Sequence, residues 1–334
     1  MTPQRKRLFW GLLLLFDAAI LVGGYFLYRW WHLPDGVELN QLAWESAYRE
    51  RGEIPPPGGP REGYWGSKLT AHTYDTQFGP LVASVSDGDL YAYDDLGRQF
   101  AHSPASDQPR RRLLIMGGSV AGGAYASDAA HTYFSLLAEH LGHAGLPVDI
   151  TVWAAGGWIS EQEVPAARWL LARETFDAVI FVDGLNDLTL YPENPLGRRL
   201  GAYLTHIDRI ASDLRTSPTL LVVAPQPYLP DKAHRTRIEE KILTAHDFTE
   251  FQAFAFEGLM VGLRELADNG SLHLIDCTNV LSAETATTFT DIWHFSDHGH
   301  ALLAEKLATG LIPLLRAQAP LPATAGPSLP PTES

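Results

Sequence analysis

Three short stretches of the chain hold side chains that can carry out acyl chemistry together. Ser119 lies in "GGSVAGG" (117–123), Asn186 and Asp187 in "GLND" (184–187), and Asp291 and His294 in "DIWH" (291–294). A serine hydroxyl is a weak nucleophile at neutral pH, so it needs a base to take its proton and an acid to orient that base. A free N–H at a helix start and an asparagine amide can hold the oxyanion that such an attack creates. Each stretch alone has a plainer reading. A glycine-flanked serine makes a turn, "GLND" makes a loop, and "DIWH" is a polar pair ahead of a helix with Ser296 as its N-cap. The joint occurrence, in order and each at a strand end, favours chemistry.

The elements that must position these residues are legible as alternating patterns. Apolar runs "RLLIMG", "VDITVWA", "DAVIFVDG", "TLLVVAP" and "LHLIDC" alternate with helix-like stretches at 132–141, 161–173, 200–215, 247–269 and 297–315. Near-continuous apolar strands separated by amphipathic helices predict an α/β fold, a parallel sheet covered on both faces. Ligands in such sheets bind beyond the carboxyl ends of the strands. Those ends supply Gly117, Gly118 and Ser119, then Gly156 and Gly157, then Gly184, Asn186 and Asp187.

The order Ser119, Gly157, Asn186, His294 resembles the four blocks of the SGNH (GDSL-type) serine hydrolase superfamily, over residues 111–316. The resemblance implies a three-layer, flavodoxin-like α/β/α sandwich. It also implies Ser119 as nucleophile, His294 as general base and Asp291 as its orienting acid. The N–H groups of Ser119 and Gly157 and the Asn186 amide would form the oxyanion hole. Two departures stand out. Gly118 replaces the aspartate that usually precedes the serine, as in a G-G-S variant of anchored members, and "WAAGGWIS" lacks an asparagine before its glycine. Either Gly156 or Gly157 can be the donor, and Gly157 is preferred because "GWISEQ" resembles the family's G-x-x-S segment.

Rival readings of the same residues are weaker. "GGSVA" approaches the nucleophile elbow of α/β-hydrolases, but there the serine follows several earlier strands and its acid and histidine usually lie far apart in sequence. Neither a phosphate-binding Gly-Lys-Ser/Thr ending nor a G-x-G-x-x-G dinucleotide loop is present. His294, His298 and His300 with Asp291 and Asp297 suggest a metal site only weakly, because a third convergent ligand is not identifiable. The sequence implies no cofactor and no metal. Trp158, Trp293 and "APQPYL" can line the substrate site or belong to the core.

The 334 residues are 46% hydrophobic and 19% charged, enough for one main domain, and the single cysteine, Cys277, excludes an internal disulfide. The formal charge is -14, while Arg5, Lys6, Arg7 and Arg29 against Asp17 give the first 34 residues a positive balance. The remainder is therefore acidic and unsuited to nucleic acid or anionic lipid. Residues 8–28 form an apolar run followed by Trp30 and Trp31, which reads as a transmembrane helix with its basic N-terminus in the cytoplasm. Asp17 inside the run would need a partner or a proton.

The expected organisation is a cytoplasmic end and anchor (1–31), a membrane-proximal linker and lead-in (32–110), a hydrolase domain (111–316) and a disordered Pro-rich tail (317–334). The expected function is a membrane-anchored bacterial esterase, acting outside the cytoplasmic membrane on short acyl esters of envelope carbohydrate or lipid. Alternatives are an O-acyltransferase of the same fold and a non-catalytic scaffold.

Overall fold

The five apolar runs become parallel strands of one sheet, and their faces sort by alternation. The computed structural model describes residues 36–55, 72–75, 79–82, 94, 96–190, 194–245, 250–319 and 321. In chain order the elements begin with α1 (Gly36–Arg49), a small antiparallel pair β1 (His72–Asp75) and β2 (Gly79–Val82), and β3 (Arg98–His102). Then come β4 (Arg111–Gly117), α2 (Tyr133–His143), β5 (Val148–Ala154), α3 (Ser160–Leu171), β6 (Ala178–Val182) and α4 (Leu185–Thr189). The chain continues through α5 (Leu196–Leu214), β7 (Leu220–Val223), α6 (Arg237–Ala245), α7 (Glu250–Asp268), β8 (His273–Leu274) and α8 (Asp297–Ala317).

The main sheet has the order β3-β5-β4-β6-β7-β8. Its five parallel strands, counted from β4, run 2-1-3-4-5, the doubly wound order whose crevice opens where the winding reverses, between β4 and β6. Register sets three strand ends level there, because Gly117 of β4 pairs with Ala154 of β5 on one side and Val182 of β6 on the other. The three segments that carry Ser119, Gly157 and Asn186 therefore leave from one rim.

Leu113, Ile115, Val152, Ile180 and Val222 face a core closed by α2, α6 and α8, while Leu114, Met116, Trp153, Phe181 and Val223 face a second core closed by α3, α5 and α7. Both faces of each central strand are buried, which is why these strands read as continuous apolar runs rather than alternating ones. Each such side chain removed from water contributes roughly 1.5–3 kcal/mol before conformational entropy is subtracted.

The sheet departs from the expected all-parallel form at one edge. Residues 98–102, assigned from sequence to the lead-in, pair antiparallel with β5, from Arg98 opposite Trp153 to His102 opposite Asp149. The strand alternates exposure, with Gln99 and Ala101 buried, so it lacks the apolar run that marked the others. Helix α1 also belongs to the body. Ala43, Trp44 and Ala47 are buried, and Glu50 just beyond it accepts the Thr287 N–H at 2.6 Å. The body thus extends N-terminally of residue 111. Helix α6 was not anticipated as a separate element either. The anchor at 8–28 with Asp17 and residues 322–334 lie outside the described residues, but Gln318, at the start of the expected tail, is tied to Arg111 and Asp177. Among the described residues no helix is long and apolar enough to cross a membrane.

Candidate active site

Ser119 stands two residues beyond β4, in a turn closed by the Gly122 and Ala124 N–H groups donating to the Gly118 and Ser119 carbonyls. It is half-buried, with its hydroxyl 2.8 Å from His294 Nε2. His294 Nδ1 lies 2.7 Å from Asp291 Oδ2. The structure therefore joins Ser119, His294 and Asp291 in one hydrogen-bonded row across 175 residues of sequence.

The local fold of the "DIWH" segment explains how a three-residue spacing achieves this. Asp291 Oδ1 accepts the N–H groups of Trp293 and His294, both at 2.7 Å, so the carboxylate folds its own loop around itself and turns Oδ2 toward the ring. Burial pushes the Asp291 carboxyl up, but the adjacent His294 ring and the donated N–H groups outweigh burial and hold it below the usual range. An ionised Asp291 requires the proton on Nδ1, which leaves Nε2 to accept from the Ser119 hydroxyl. Ser296 occupies the N-cap position of α8, as its sequence context suggested, yet its hydroxyl caps no N–H and is buried without a partner.

This loop is braced from outside. Glu239 on α6, fully buried, accepts the N–H groups of Thr288 and Phe289 at 2.9 and 3.1 Å, and Lys232 Nζ sits 2.7 Å from its carboxylate. An antiparallel bridge between Phe289 and Phe295 closes the loop that carries both chemical groups.

The second and third strand ends meet beside Ser119. The Asn186 amide donates to the Trp158 carbonyl at 2.8 Å, and Asp187 accepts the Ser160 N–H at 3.0 Å and its hydroxyl at 2.5 Å. A Cβ built on Gly118 would lie 2.3 Å from Asn186 Nδ2. The glycine at 118 is therefore what leaves room for this amide beside the residue that precedes Ser119. Gly157 is exposed at φ +75°, the third residue of a turn in which the Trp158 N–H donates to the Ala155 carbonyl, and glycine suits that position. Among the described residues, the N–H groups of Ser119 and Gly157 donate to no protein acceptor. Gly156, the other candidate donor, is half-buried.

Beneath this corner lies a set of buried carboxyls. Tyr203 donates to Asp183 at 2.6 Å, and no amide, hydroxyl or cationic donor reaches Asp183 Oδ2 or either oxygen of Glu163. Glu163 faces Asp183, so a proton held between them is what allows both to sit there. Burial, with Asp183 nearby, pushes Asp187 up to about 7.

Other residues singled out by sequence go elsewhere. Trp158 is buried against Trp153, and Tyr228 of "APQPYL" packs on Phe256 with centroids 4.6 Å apart, so both belong to the core, while Trp293 is half-buried. His298 pairs with Glu284 at 3.0 Å and His300 bonds the Ala124 carbonyl at 3.0 Å. Among the described residues no cluster of His, Cys, Asp and Glu is arranged to hold a metal ion. Tyr125, which sequence reading passed over, stacks on His294 with centroids 4.9 Å apart.

No protein-family model matches the chain, and no curated protein matches it. Among solved structures, an acetyl xylan esterase, AlAXEase, aligns with a TM-score of 0.45 at 16% identity, over 59% of this chain and 98% of its own. An acetylxylan esterase from Geobacillus stearothermophilus gives 0.45 at 15% identity, over 60% and 94%. A lipase/acylhydrolase from Enterococcus faecalis gives 0.44 at 16% identity, over 64% and 100%.

Proposed function

We propose that this chain is an SGNH-type serine hydrolase that cleaves carboxylic esters through an acyl-serine intermediate. The observation that carries the reading is the row Ser119 Oγ, His294 Nε2, His294 Nδ1, Asp291 Oδ2, at 2.8 and 2.7 Å, beside the amide of Asn186. Ser119 attacks the ester carbonyl as its proton passes to His294 Nε2, and Asp291 stabilises the imidazolium that forms. The oxyanion is held by the Ser119 and Gly157 N–H groups and by the Asn186 amide hydrogen that does not bond Trp158. His294 then returns the proton to the leaving alcohol, and water repeats the sequence on the acyl-serine. The general base and the oxyanion donors each contribute on the order of 10² or more in rate.

The apolar run at 8–28 supports attachment to a cytoplasmic membrane, with the acidic body on the outer side. Acetyl or other short acyl esters on envelope carbohydrate or lipid are the substrates that this location favours.

The test is hydrolysis of p-nitrophenyl acetate by the purified full chain beside Ser119→Ala, with mass spectrometry after exposure to a fluorophosphonate. Turnover and a serine adduct that both vanish in the variant are expected. A folded wild-type chain that neither turns over nor labels would sink the reading.

A further inference from the structure

We infer that Tyr125 is a positioning residue for His294, its ring forming the wall that fixes the imidazole between Ser119 and Asp291. The inference rests on the serine-hydrolase reading above and adds a residue that the Ser-His-Asp row does not contain.

Two independent features meet at Tyr125. Its ring lies against His294, centroids 4.9 Å apart and planes 27° from parallel. Hydrogen bonds at Nδ1 and Nε2 hold the imidazole within its plane, but neither resists displacement across that plane. A stacked ring supplies that restraint. The second feature is the backbone: Tyr125 has φ 68°, and among the described residues it is the one non-glycine at positive φ. A bulky side chain is disfavoured there, whereas glycine would be at ease. Four glycines occupy positions 117, 118, 122 and 123 just upstream, so the segment readily uses glycine where the chain bends. A tyrosine kept at the position that most suits glycine points to work done by its ring.

The surroundings hold the backbone in this state from both sides. On one side His300 Nε2 bonds the Ala124 carbonyl at 3.0 Å, and since a carbonyl only accepts, that nitrogen carries the proton. Burial pushes His300 down to about 4, so the ring stays neutral and keeps this donor. On the other side Asp297 accepts the Ser127 N–H at 2.8 Å and its hydroxyl at 2.6 Å. Ala124 in turn donates to the Ser119 carbonyl, so the strained residue hangs from the nucleophile's own turn. Both His300 and Asp297 belong to α8, which begins three residues after His294. One helix thus fixes the backbone that places the ring and continues the loop that carries the base.

The test compares Tyr125→Phe, Tyr125→Ala and Tyr125→Gly in the full chain, reading kcat and KM for p-nitrophenyl acetate, the rate of fluorophosphonate labelling, and the thermal midpoint. Tyr125→Phe is expected within about twofold of wild type. Tyr125→Ala and Tyr125→Gly are each expected to lose about tenfold in kcat and labelling rate, with KM changed less than about twofold. Tyr125→Gly should melt above Tyr125→Ala, because it relieves the backbone, and still be as slow. Rates in both small variants within twofold of wild type would overturn the inference. So would a loss shared by Tyr125→Phe, which would assign the effect to the hydroxyl, or a loss confined to KM, which would assign it to substrate contact. A wild-type chain that does not label at all would overturn the hydrolase reading itself, and this inference with it.

Discussion

Lys232 and Glu239 face each other at 2.7 Å with neither side chain exposed, and the same carboxylate receives the backbone of Thr288 and Phe289 on the way to Asp291 and His294. Charge, loop and chemistry are thus fastened at one buried point. Lys232 also donates to the Ala286 carbonyl, so the cation grips the loop directly. Replacing Lys232 with methionine leaves Glu239 charged in the interior without its partner. A loss of about 3–5 kcal/mol in urea unfolding is expected. A loss below about 1 kcal/mol would mean that water reaches Glu239 and that the pair is not what holds the loop.

Asp291→Asn separates orientation from folding. The asparagine Oδ1 can still accept the Trp293 and His294 N–H groups that shape the loop, so the thermal midpoint should move little. Its amide, however, turns a donor toward Nδ1 and favours the tautomer with the proton on Nε2, facing Ser119. On the proposed mechanism kcat falls on the order of 10³–10⁴. Near-normal ester hydrolysis would remove Asp291 from the mechanism.

What the sequence revealed and what it hid follow from how each residue does its work. The five parallel strands were legible because burial on both faces forces continuous apolar runs, and the strand-end residues were legible because the fold places ligands there. Strand β3 was hidden because an edge strand with alternating burial resembles any polar-apolar segment. Helix α6 was hidden for a similar reason: nine residues long, with Glu239 and Ile242 its buried residues, it lacks a long apolar stripe. Ser119, Asn186, Asp291 and His294 announced themselves by residue type, whereas Tyr125 acts through a backbone angle and a ring contact that no spacing encodes. The role of Gly118 was likewise invisible, since it depends on where the Asn186 amide from another strand end comes to rest.

The buried carboxyls predict a pH dependence of stability. Burial, reinforced by Asp183, raises Asp187 to about 7 in the folded chain, while the unfolded carboxyl titrates at about 3.9. Between those values the folded state keeps a proton that the unfolded state releases, so the Asp187 contribution to unfolding free energy falls as pH rises from about 4 to about 7. Asp187→Asn abolishes this titration while its Oδ1 can still accept the Ser160 N–H. Urea midpoints of the two proteins across that pH range should diverge, with wild type losing ground to the variant as pH increases. Parallel curves would show that Asp187 ionises as freely inside the fold as outside it.

Gly118→Ala tests the space that the glycine before Ser119 leaves for the Asn186 amide. The added Cβ would fall 2.3 Å from Asn186 Nδ2, the far end of a side chain that can swing away. Yielding costs little packing, so the stability change should stay within about 1 kcal/mol. It does move the amide from its place beside Gly118 and strains its bond to the Trp158 carbonyl. Loss of one oxyanion donor lowers turnover on the order of 10². The expected signature is therefore a stable protein with kcat for p-nitrophenyl acetate reduced by about that factor and KM nearly unchanged, since the oxyanion exists only beyond the ground state. Asn186→Ala should show the same kcat, and combining the two substitutions should add no further loss, because both remove the same donor. A full additional loss in the double variant would mean that the Gly118 backbone and the Asn186 amide act on the reaction separately.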